Sequence, residues 1–505
     1  MSYLMAYDLG TGGIKASLFR EDGTAVADLF HAYETFYPAE KYAEQRPDDW
    51  WQGVCLATRQ LLRETSVRSD EVKAVALSGH SMVAVPFDRD GNRLLDSVPI
   101  WCDMRAYDQV PVLFRKVPYE KWYTTTGNGD PAETYTLLKL MWYREHMPAL
   151  FEKADKVLGS KDYINYLLTG RMCTDPSYFS GSGAFNLRAW RPEPAFTEAA
   201  GVPASVFPEI IPSDAVVGCV TPGAALETGL AAGTPVACGG VDNMCMALGA
   251  TGLSEGSLYL SLGSSAWIAV TSREPVTDVR TRPFVFAHAV PRTYTSAVSI
   301  FSAGNSFRWA RDTLCPDLMK AEDAYERMNR MAEQVPPGSH GVLFNPTLAG
   351  GSAQEYGPDL TGGFLGLTLR NTREDLVRAV MEGVALALES ALEILRRSVP
   401  DNGRILVCGG GSKSRVWRQI LADVFDLPVV KDNIDQNAAS LGAAALAANA
   451  CGLWHGYDAL RACHRGETVT EPDGQNTAYY RKLIPAYREW TDTLGRMSDR
   501  LKEIR

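Results

Sequence analysis

A chain of 505 residues, 46% of them hydrophobic, is too long for one core and carries enough apolar content for two or more domains. Its formal net charge of −10, with no basic run, argues against a general nucleic-acid binder. No basic leader precedes a long apolar stretch and no apolar run approaches about 18 residues, so neither a signal peptide nor a membrane span is expected and the location reads as cytoplasmic. The ten cysteines are scattered in mostly apolar contexts, without CxxC pairs or histidines at ligand spacing, and read as reduced, buried thiols.

The chain opens as an antiparallel meander. Leu4–Gly10 is a strand ending in a turn, Ile14–Phe19 a second strand, Glu21–Thr24 a turn, and Ala25–Phe30 a third strand. A helix then starts at Asp48–Trp51, with Val54, Leu56, Leu61 and Leu62 at helical spacing. Val72–Leu77 is a buried strand ending at Ser78-Gly79, followed by Val83–Phe87 and a turn at Asp90-Gly91. Residues 105 to 215 read as helices and loops carried by the sheet core.

Pro235–Gly249 is a short apolar strand, a Gly239-Gly240 break and a small-residue helix, with Asp242 at the helix mouth. Two readings of Asp242 stay open: an N-cap worth about 1 kcal/mol, or a functional carboxylate beyond the carboxyl end of a strand, where open α/β sheets place their ligands. Backbone N–H groups and the helix dipole should keep it ionised. The domain division falls just after this stretch, giving residues 1–250 and 251–505.

The second half restarts the pattern. Asp8–Ala16 and Ser261–Ala269 match at an offset of 253 residues, with leucine, glycine, hydroxyl and alanine in register, so the chain reads as two related halves that each open on a glycine-turn hairpin. Thr372–Asp375 resembles a capping box for a long helix with apolar positions from Val377 to Leu395. Ile405–Cys408 is a strand, Gly409–Ser414 a glycine-rich turn, and a helix bearing Val416, Trp417, Ile420, Leu421 and Val424 follows. Ala438–Leu453 is an alanine-rich helix that must pack closely.

Three glycine turns compete to hold phosphate. In the first, Gly10, Gly12 and Gly13 allow close backbone approach, Thr11 offers a hydroxyl and Lys15 a cation. In the second, Gly263, Ser264 and Ser265 offer the same chemistry, and Gly409, Gly410 and Gly411 join a strand to a helix. Neither a P-loop nor a GxGxxG fingerprint is completed. Two hairpins and one strand–turn–helix suggest a nucleotide gripped between related domains, with Asp8 holding Mg²⁺ through water.

Gly362–Glu382 (GGFLGLTLRNTREDLVRAVME) fits the C-terminal signature of the FGGY carbohydrate kinases, and Thr134–His146 resembles their N-terminal signature around Lys139 and Trp142. The likeness runs from about Tyr3 to Leu453. It implies an α/β actin-like ATPase fold of two RNase-H-like domains with the active site between them, and ATP and Mg²⁺ as cofactors. By resemblance, both hairpins contact ATP phosphates, Gly409–Gly411 lies against the nucleotide, Gly304 is a nucleotide-side position and Asp242 is the catalytic base.

On the sugar side, Trp101, Asp103 and Asn243 are expected to line a pocket beside Asp242. Phe87, Asp90-Gly91 and Ile100–Arg105 look xylulokinase-like, but His80-Ser81-Met82 stands where xylulokinases commonly carry Gln-Met-His-Gly. The implied reaction is transfer of the γ-phosphoryl group of ATP to a ketose such as D-xylulose. Another ketose, a polyol or an aldonate (ribulose, erythritol, gluconate) stays open as acceptor, because replacing one buried hydrogen-bonding group changes discrimination strongly. An actin-like or chaperone-type ATPase shares the hairpins but has no use for the sugar pocket. The resemblance allows a homodimer, though no stretch locates an interface.

Overall fold

The computed structural model describes residues 1–357, 359–434 and 437–504. Its first sheet is built on β1 (Tyr3–Leu9), β2 (Gly13–Arg20), β3 (Ala25–Ala32) and β4 (Val72–Gly79), with β5 (Val216–Cys219), β6 (Pro235–Ala237) and β7 (Gly240–Val241) added later in the chain. The order is β5-β6-β4-β1-β2-β3, with β7 also pairing β4. β1 is antiparallel to β2 and parallel to β4. It is covered on both faces, which explains its continuous apolar run. Met5, Tyr7 and Leu9 pack with Trp50, Val54, Ala57 and Leu61 of α1 (Pro47–Thr65). Leu4 and Ala6 point to the opposite core. Leu56, expected on the buried face of this helix, is 53% exposed; Ala57 takes that place, because the buried stripe runs Trp50–Val54–Ala57–Leu61.

The second sheet repeats the plan with β8 (Leu258–Leu262), β9 (Ala266–Ser272), β10 (Phe284–Ala287), β11 (Tyr294–Ile300), β12 (Ile405–Cys408), β13 (Val429–Lys431) and β14 (Thr468–Thr470), ordered β10-β11-β9-β8-β12-β13-β14. Again the first strand, β8, is antiparallel to the second, β9, and parallel to a later one, β12. The match between halves breaks at the turn. Leu9 corresponds to Leu262, but Ile14, which pairs Leu9, corresponds to Ala266, which pairs Leu262. The second turn is one residue shorter, so the offset of 253 holds only up to the turn and becomes 252 beyond it.

Further helices used below are α2 (Thr136–His146), α3 (Ser160–Thr169), α4 (Asp242–Thr251), α5 (Gly304–Leu314), α6 (Arg373–Ser398), α7 (Arg415–Phe425), α8 (Ala438–Ala450) and α9 (Gly474–Lys502). Thr372 opens α6 with the expected capping box, and the apolar positions from Val377 to Leu395 are buried. The sequence reading stopped at Leu453 and missed α9, whose N-cap Asp473 accepts from Gln475 and Asn476 N–H. All ten cysteines are free thiols, and Cys219 differs from expectation in being exposed.

The two halves meet through α4 and α8, which cross backbone to backbone. A Cβ on Gly249 would lie 1.9 Å from the Ala438 carbonyl oxygen, and one on Gly442 would lie 2.0 Å from that of Cys245. The alanines of α8 and the small residues of α4 share one core with Leu4, Ala6, Ala74 and Ala76 of the first sheet and Tyr259, Ala269 and Ala297 of the second. Gly442→Ala is therefore expected to lower unfolding stability by about 1–3 kcal/mol through overpacking, although helix propensity alone would raise it by about 1 kcal/mol. Denaturant unfolding of the purified variant gives the sign directly.

Candidate active site

Asp242 and Asp8 stand at the carboxyl ends of strands on either side of β4. Asp8 lies opposite Ser78 in the β1–β4 pairing, and Gly240 lies opposite Ser78 in the β7–β4 pairing. The chain reaches this position only through Gly239 and Gly240. Gly239 has φ 76°, and its Cβ would lie 2.1 Å from the Leu77 carbonyl oxygen. A Cβ on Gly240 would lie 2.0 Å from the Met244 methyl.

The cap at the start of α4 is Val241, not Asp242. Asp242 is the first helical residue, and its Oδ1 accepts from the Asn243 N–H at 2.8 Å. Burial and, second, the negative charge of Asp8 push the Asp242 carboxyl up to about 7, while the Asn243 N–H pulls the other way. The helix mouth thus fails to hold it in the ordinary carboxylate range, because desolvation and a like charge outweigh the backbone amides of Asn243 and of Asp242 itself. Burial also raises Asp8, opposed by the Ser78 hydroxyl, which donates at 2.7 Å, and by Lys15.

Both hairpin turns are braced from behind with their tips exposed. In the first, Gly10 N–H donates to the Gly13 carbonyl at 3.0 Å. The Thr11 carbonyl accepts from Gln45 Nε2 at 2.7 Å, and its hydroxyl accepts from Trp101 Nε1 at 2.8 Å. Gln45 is fully buried and also accepts from Trp50 Nε1 at 3.0 Å. Lys15 donates to Asn437 at the start of α8 and lies 3.8 Å from Asp28. It therefore joins the first sheet to the second half of the chain.

In the second hairpin, Gly263 N–H donates to the Ser265 carbonyl at 3.0 Å. The N-terminus of α5 then caps the turn: Gly304 N–H donates to the Gly263 carbonyl at 2.9 Å, and Ala303 and Asn305 N–H donate to Ser264 at 3.0 and 2.9 Å. A Cβ on Gly304 would lie 2.4 Å from the Gly263 carbonyl oxygen, so the site residue Gly304 serves close approach. Gly409 and Gly411 pack on Leu262 at the base of this hairpin, while Gly410 faces open space. The structure thus brings Gly263–Ser265, Gly304 and Gly409–Gly411 together.

On the acceptor side, Asn243 follows Asp242, and its carbonyl accepts from the Tyr259 hydroxyl of β8 at 3.4 Å. Trp101 is 44% exposed beside Thr11. His80 is buried: its Nδ1–H donates to the Leu9 carbonyl at 3.1 Å, and its Nε2 is buried without a partner among the described residues. Burial lowers its pKa to about 4, so the ring is neutral and Nε2 is a free acceptor. Ser81 and Met82 are buried near Gly181, which also faces Phe286 of β10.

Asp103 behaves differently from expectation. It is fully buried, and both oxygens are occupied by Arg105, with Ala43 N–H adding a bond at 2.7 Å. It anchors Arg105, which also reaches Glu44 at 2.6 Å, and presents no unoccupied oxygen. Lys139 of α2 donates to the carbonyls of Met82 at 2.7 Å and Ile100 at 2.6 Å, tying the two acceptor loops together. Burial lowers its pKa to about 7.

Sequence reasoning missed the support behind Asp242. Lys161 of α3 is fully buried and pairs with Asp162 at 2.6 Å and Asp175 at 3.1 Å. Its Nζ and Asn165 Nδ2 both donate to the Cys238 carbonyl, at 3.2 and 2.8 Å. Asp175 in turn accepts from Ser177, whose hydroxyl accepts from Val241 N–H at 3.0 Å. Polar residues embedded in apolar stretches were the only signal in the sequence. Lys161→Met strands Asp162 and Asp175 without their cation, and a loss of about 3–5 kcal/mol in unfolding stability is expected by denaturant titration.

Two family descriptions match the chain: "FGGY family of carbohydrate kinases, N-terminal domain" over residues 3–249, and the C-terminal domain of the same family over residues 258–451. The xylulose kinase of Bacillus subtilis (strain 168) is 29% identical over 511 positions, spanning all of both chains. The gluconokinase of Bacillus licheniformis is 28% identical over 493 positions, 96% of this chain and 95% of the relative. Among solved structures, xylulose kinase from Rhodospirillum rubrum superimposes with TM-score 0.90 at 30% identity, covering 98% of this chain and 100% of that one. Paired glycine hairpins, a strand-end carboxylate and matches across both halves carry one conclusion: this chain belongs to the FGGY family of carbohydrate kinases, ATP-dependent enzymes with the two-domain actin-like fold.

Proposed function

We propose that this kinase phosphorylates a neutral ketose, D-xylulose before other acceptors, with Asp242 as the base. The observation that carries this reading is the Asp242–Asp8 pair at the ends of the strands flanking β4, with Asp242 raised to about 7. A base poised near neutrality can accept the acceptor's proton as the oxygen bonds to phosphorus. We divide the chain at 250/251, in the last turn of α4 ahead of β8.

Backbone N–H groups at the exposed tips of both hairpins, with the Thr11, Ser264 and Ser265 hydroxyls, face the phosphates. Gly304 and Gly409–Gly411 shape the nucleotide side. Two carboxylates raised by burial, with the charge of Asp8 also raising Asp242, suit a divalent cation. Asp8 would hold Mg²⁺, largely through water, as a hard ion with few protein ligands requires, and the ion would offset charge on the β- and γ-phosphates. His80 Nε2 accepts a sugar hydroxyl, and Trp101 and Asn243 line the acceptor. Asp103 acts as a positioning residue through Arg105.

The cations beside the acceptor loops favour a neutral substrate. Lys139 is bound to two carbonyls, and Arg105 to Asp103 and Glu44, so neither is poised to meet a substrate carboxylate. The second reading is an aldonate acceptor, favoured by the gluconokinase relatives and by Ser81-Met82. A coupled ADP assay across pentuloses, hexuloses, polyols and aldonates separates them. D-xylulose is expected to give the highest kcat/KM, and gluconate in first place would overturn this reading.

Asp242→Asn should leave ADP binding within about twofold and cut kcat by at least about 10². The wild-type kcat/KM, which reports the free enzyme, should fall as pH drops below about 7 and Asp242 takes up its proton. The same raised pKa means that the folded state holds the proton more tightly than the unfolded chain. Its stabilising effect is full below the ordinary Asp range, near 3.8, and is lost as pH rises through about 7. Asp242→Asn should therefore flatten stability between those pH values, measured by thermal unfolding across the series.

A further inference from the structure

A crevice of about 830 Å³ opens at the end of the second sheet away from the phosphate hairpins. It reaches the starting ends of β8 and β12, at Leu258 and Leu406, whereas the hairpin and the Gly409 turn lie at their finishing ends. Three or four residues of strand separate the two sites, roughly 10–15 Å at about 3.3 Å per residue.

Its two walls are the segments that join the halves of the molecule. One is the connection between α4 and β8, residues 252–257. The other runs from residue 456 to 467, part of a strap tied to the first half at several points. Trp454 Nε1 donates to the Glu21 carbonyl at 2.8 Å, and the Tyr457 hydroxyl donates to Asp214 at 2.9 Å. Cys463 Sγ packs against the β2–β3 turn, where a Cβ on Gly23 would lie 2.3 Å from it. A ligand between these walls touches both connections at once.

Three arginines line it, against the carboxylates of Asp458 and Glu467, in a protein of net charge −10. Arg273, Arg404 and Arg461 enter from the end of β9, the start of β12 and the strap. Arg404 is partly neutralised by Glu467 at 3.5 Å. Arg461 Nη2 donates to Ser254 Oγ at 3.4 Å across the crevice, and neither it nor Arg273 has a carboxylate within ion-pair distance among the described residues. Guanidinium groups free of carboxylates suit a phosphate. Asp458 and Asn402 add groups that bond hydroxyls, and the volume far exceeds one phosphate ion. Its aromatic rings are Tyr457 and His464, whose hydroxyl and Nδ1 are bonded to Asp214 and Asp432.

We infer that this crevice is a second ligand site, for a phosphorylated sugar, whose occupancy is coupled to the relative movement of the two halves and so to nucleotide affinity. Coupling of this kind is reciprocal: whatever the phosphosugar does to ADP affinity, ADP does to the phosphosugar.

The test is calorimetric titration of the full-length protein with ribose 5-phosphate, ribose and inorganic phosphate, followed by ADP titration with and without saturating ribose 5-phosphate. Ribose 5-phosphate should bind at least tenfold more tightly than either fragment. The double variant Arg273→Gln/Arg461→Gln should weaken it at least tenfold, with the thermal midpoint and ADP affinity of the free protein unchanged. ADP affinity should shift at least threefold when the probe saturates, and the shift should vanish in the double variant. Ribose 5-phosphate binding that survives the double variant overturns the site. Inorganic phosphate binding as tightly as ribose 5-phosphate overturns its sugar specificity, and an unmoved ADP affinity overturns the coupling. None of these readouts is kinase activity, so their failure leaves the proposed acceptor chemistry standing.

Discussion

Everything at the active site depends on how closely α4 and α8 approach. Gly249 and Gly442 let the two backbones touch, and no side chain fits between them. That contact sets the separation of the two sheets, because the crossing helices share one core with residues of both. Asp242 begins one of these helices and Asn437, the partner of Lys15, precedes the other. The distance between the carboxylate and the second half is thus set by a packing constraint far more rigid than a surface loop.

A site held this way can tolerate electrostatic strain. Asp8 and Asp242 are neighbours of like charge in a poorly solvated position, and each is raised by burial. Removing one carboxylate should relieve that repulsion, as the residues of a functional site often sacrifice stability for chemistry. The opposing support comes from behind, where the buried Lys161–Asp162–Asp175 cluster fixes the Cys238 carbonyl and, through Ser177, the Val241 N–H. The segment carrying Asp242 is clamped on both sides of its glycines, which limits how far Asp242 can retreat from Asp8.

Domain movement is expected of kinases that must exclude water before phosphoryl transfer. Here the connections that would flex are the 252–257 link and the 456–467 strap, and the arginine-lined crevice lies between them. The far ends of the same strands carry the hairpin and the Gly409 turn. A ligand at one end and a nucleotide at the other therefore act on one rigid sheet.

The strands, the two hairpins and the position of Asp242 were legible in the sequence because each is local: a run of alternating or continuous apolar residues, a glycine turn, a carboxylate where a strand gives way to a helix. The repeat of these features half a chain apart, with Gly362–Glu382, was enough to point to the family. The sequence did not reveal that Asp103 spends both oxygens on Arg105 and Ala43, that the second hairpin is one residue shorter, or that Leu56 faces solvent. Nor did it show that Lys161 lies beneath Cys238 or that burial would carry Asp242 to about 7. Those outcomes depend on partners tens to hundreds of residues away and on how much water each group loses. Only tertiary packing decides either, so the residues named the chemistry and the fold determined their electrostatics and their neighbours.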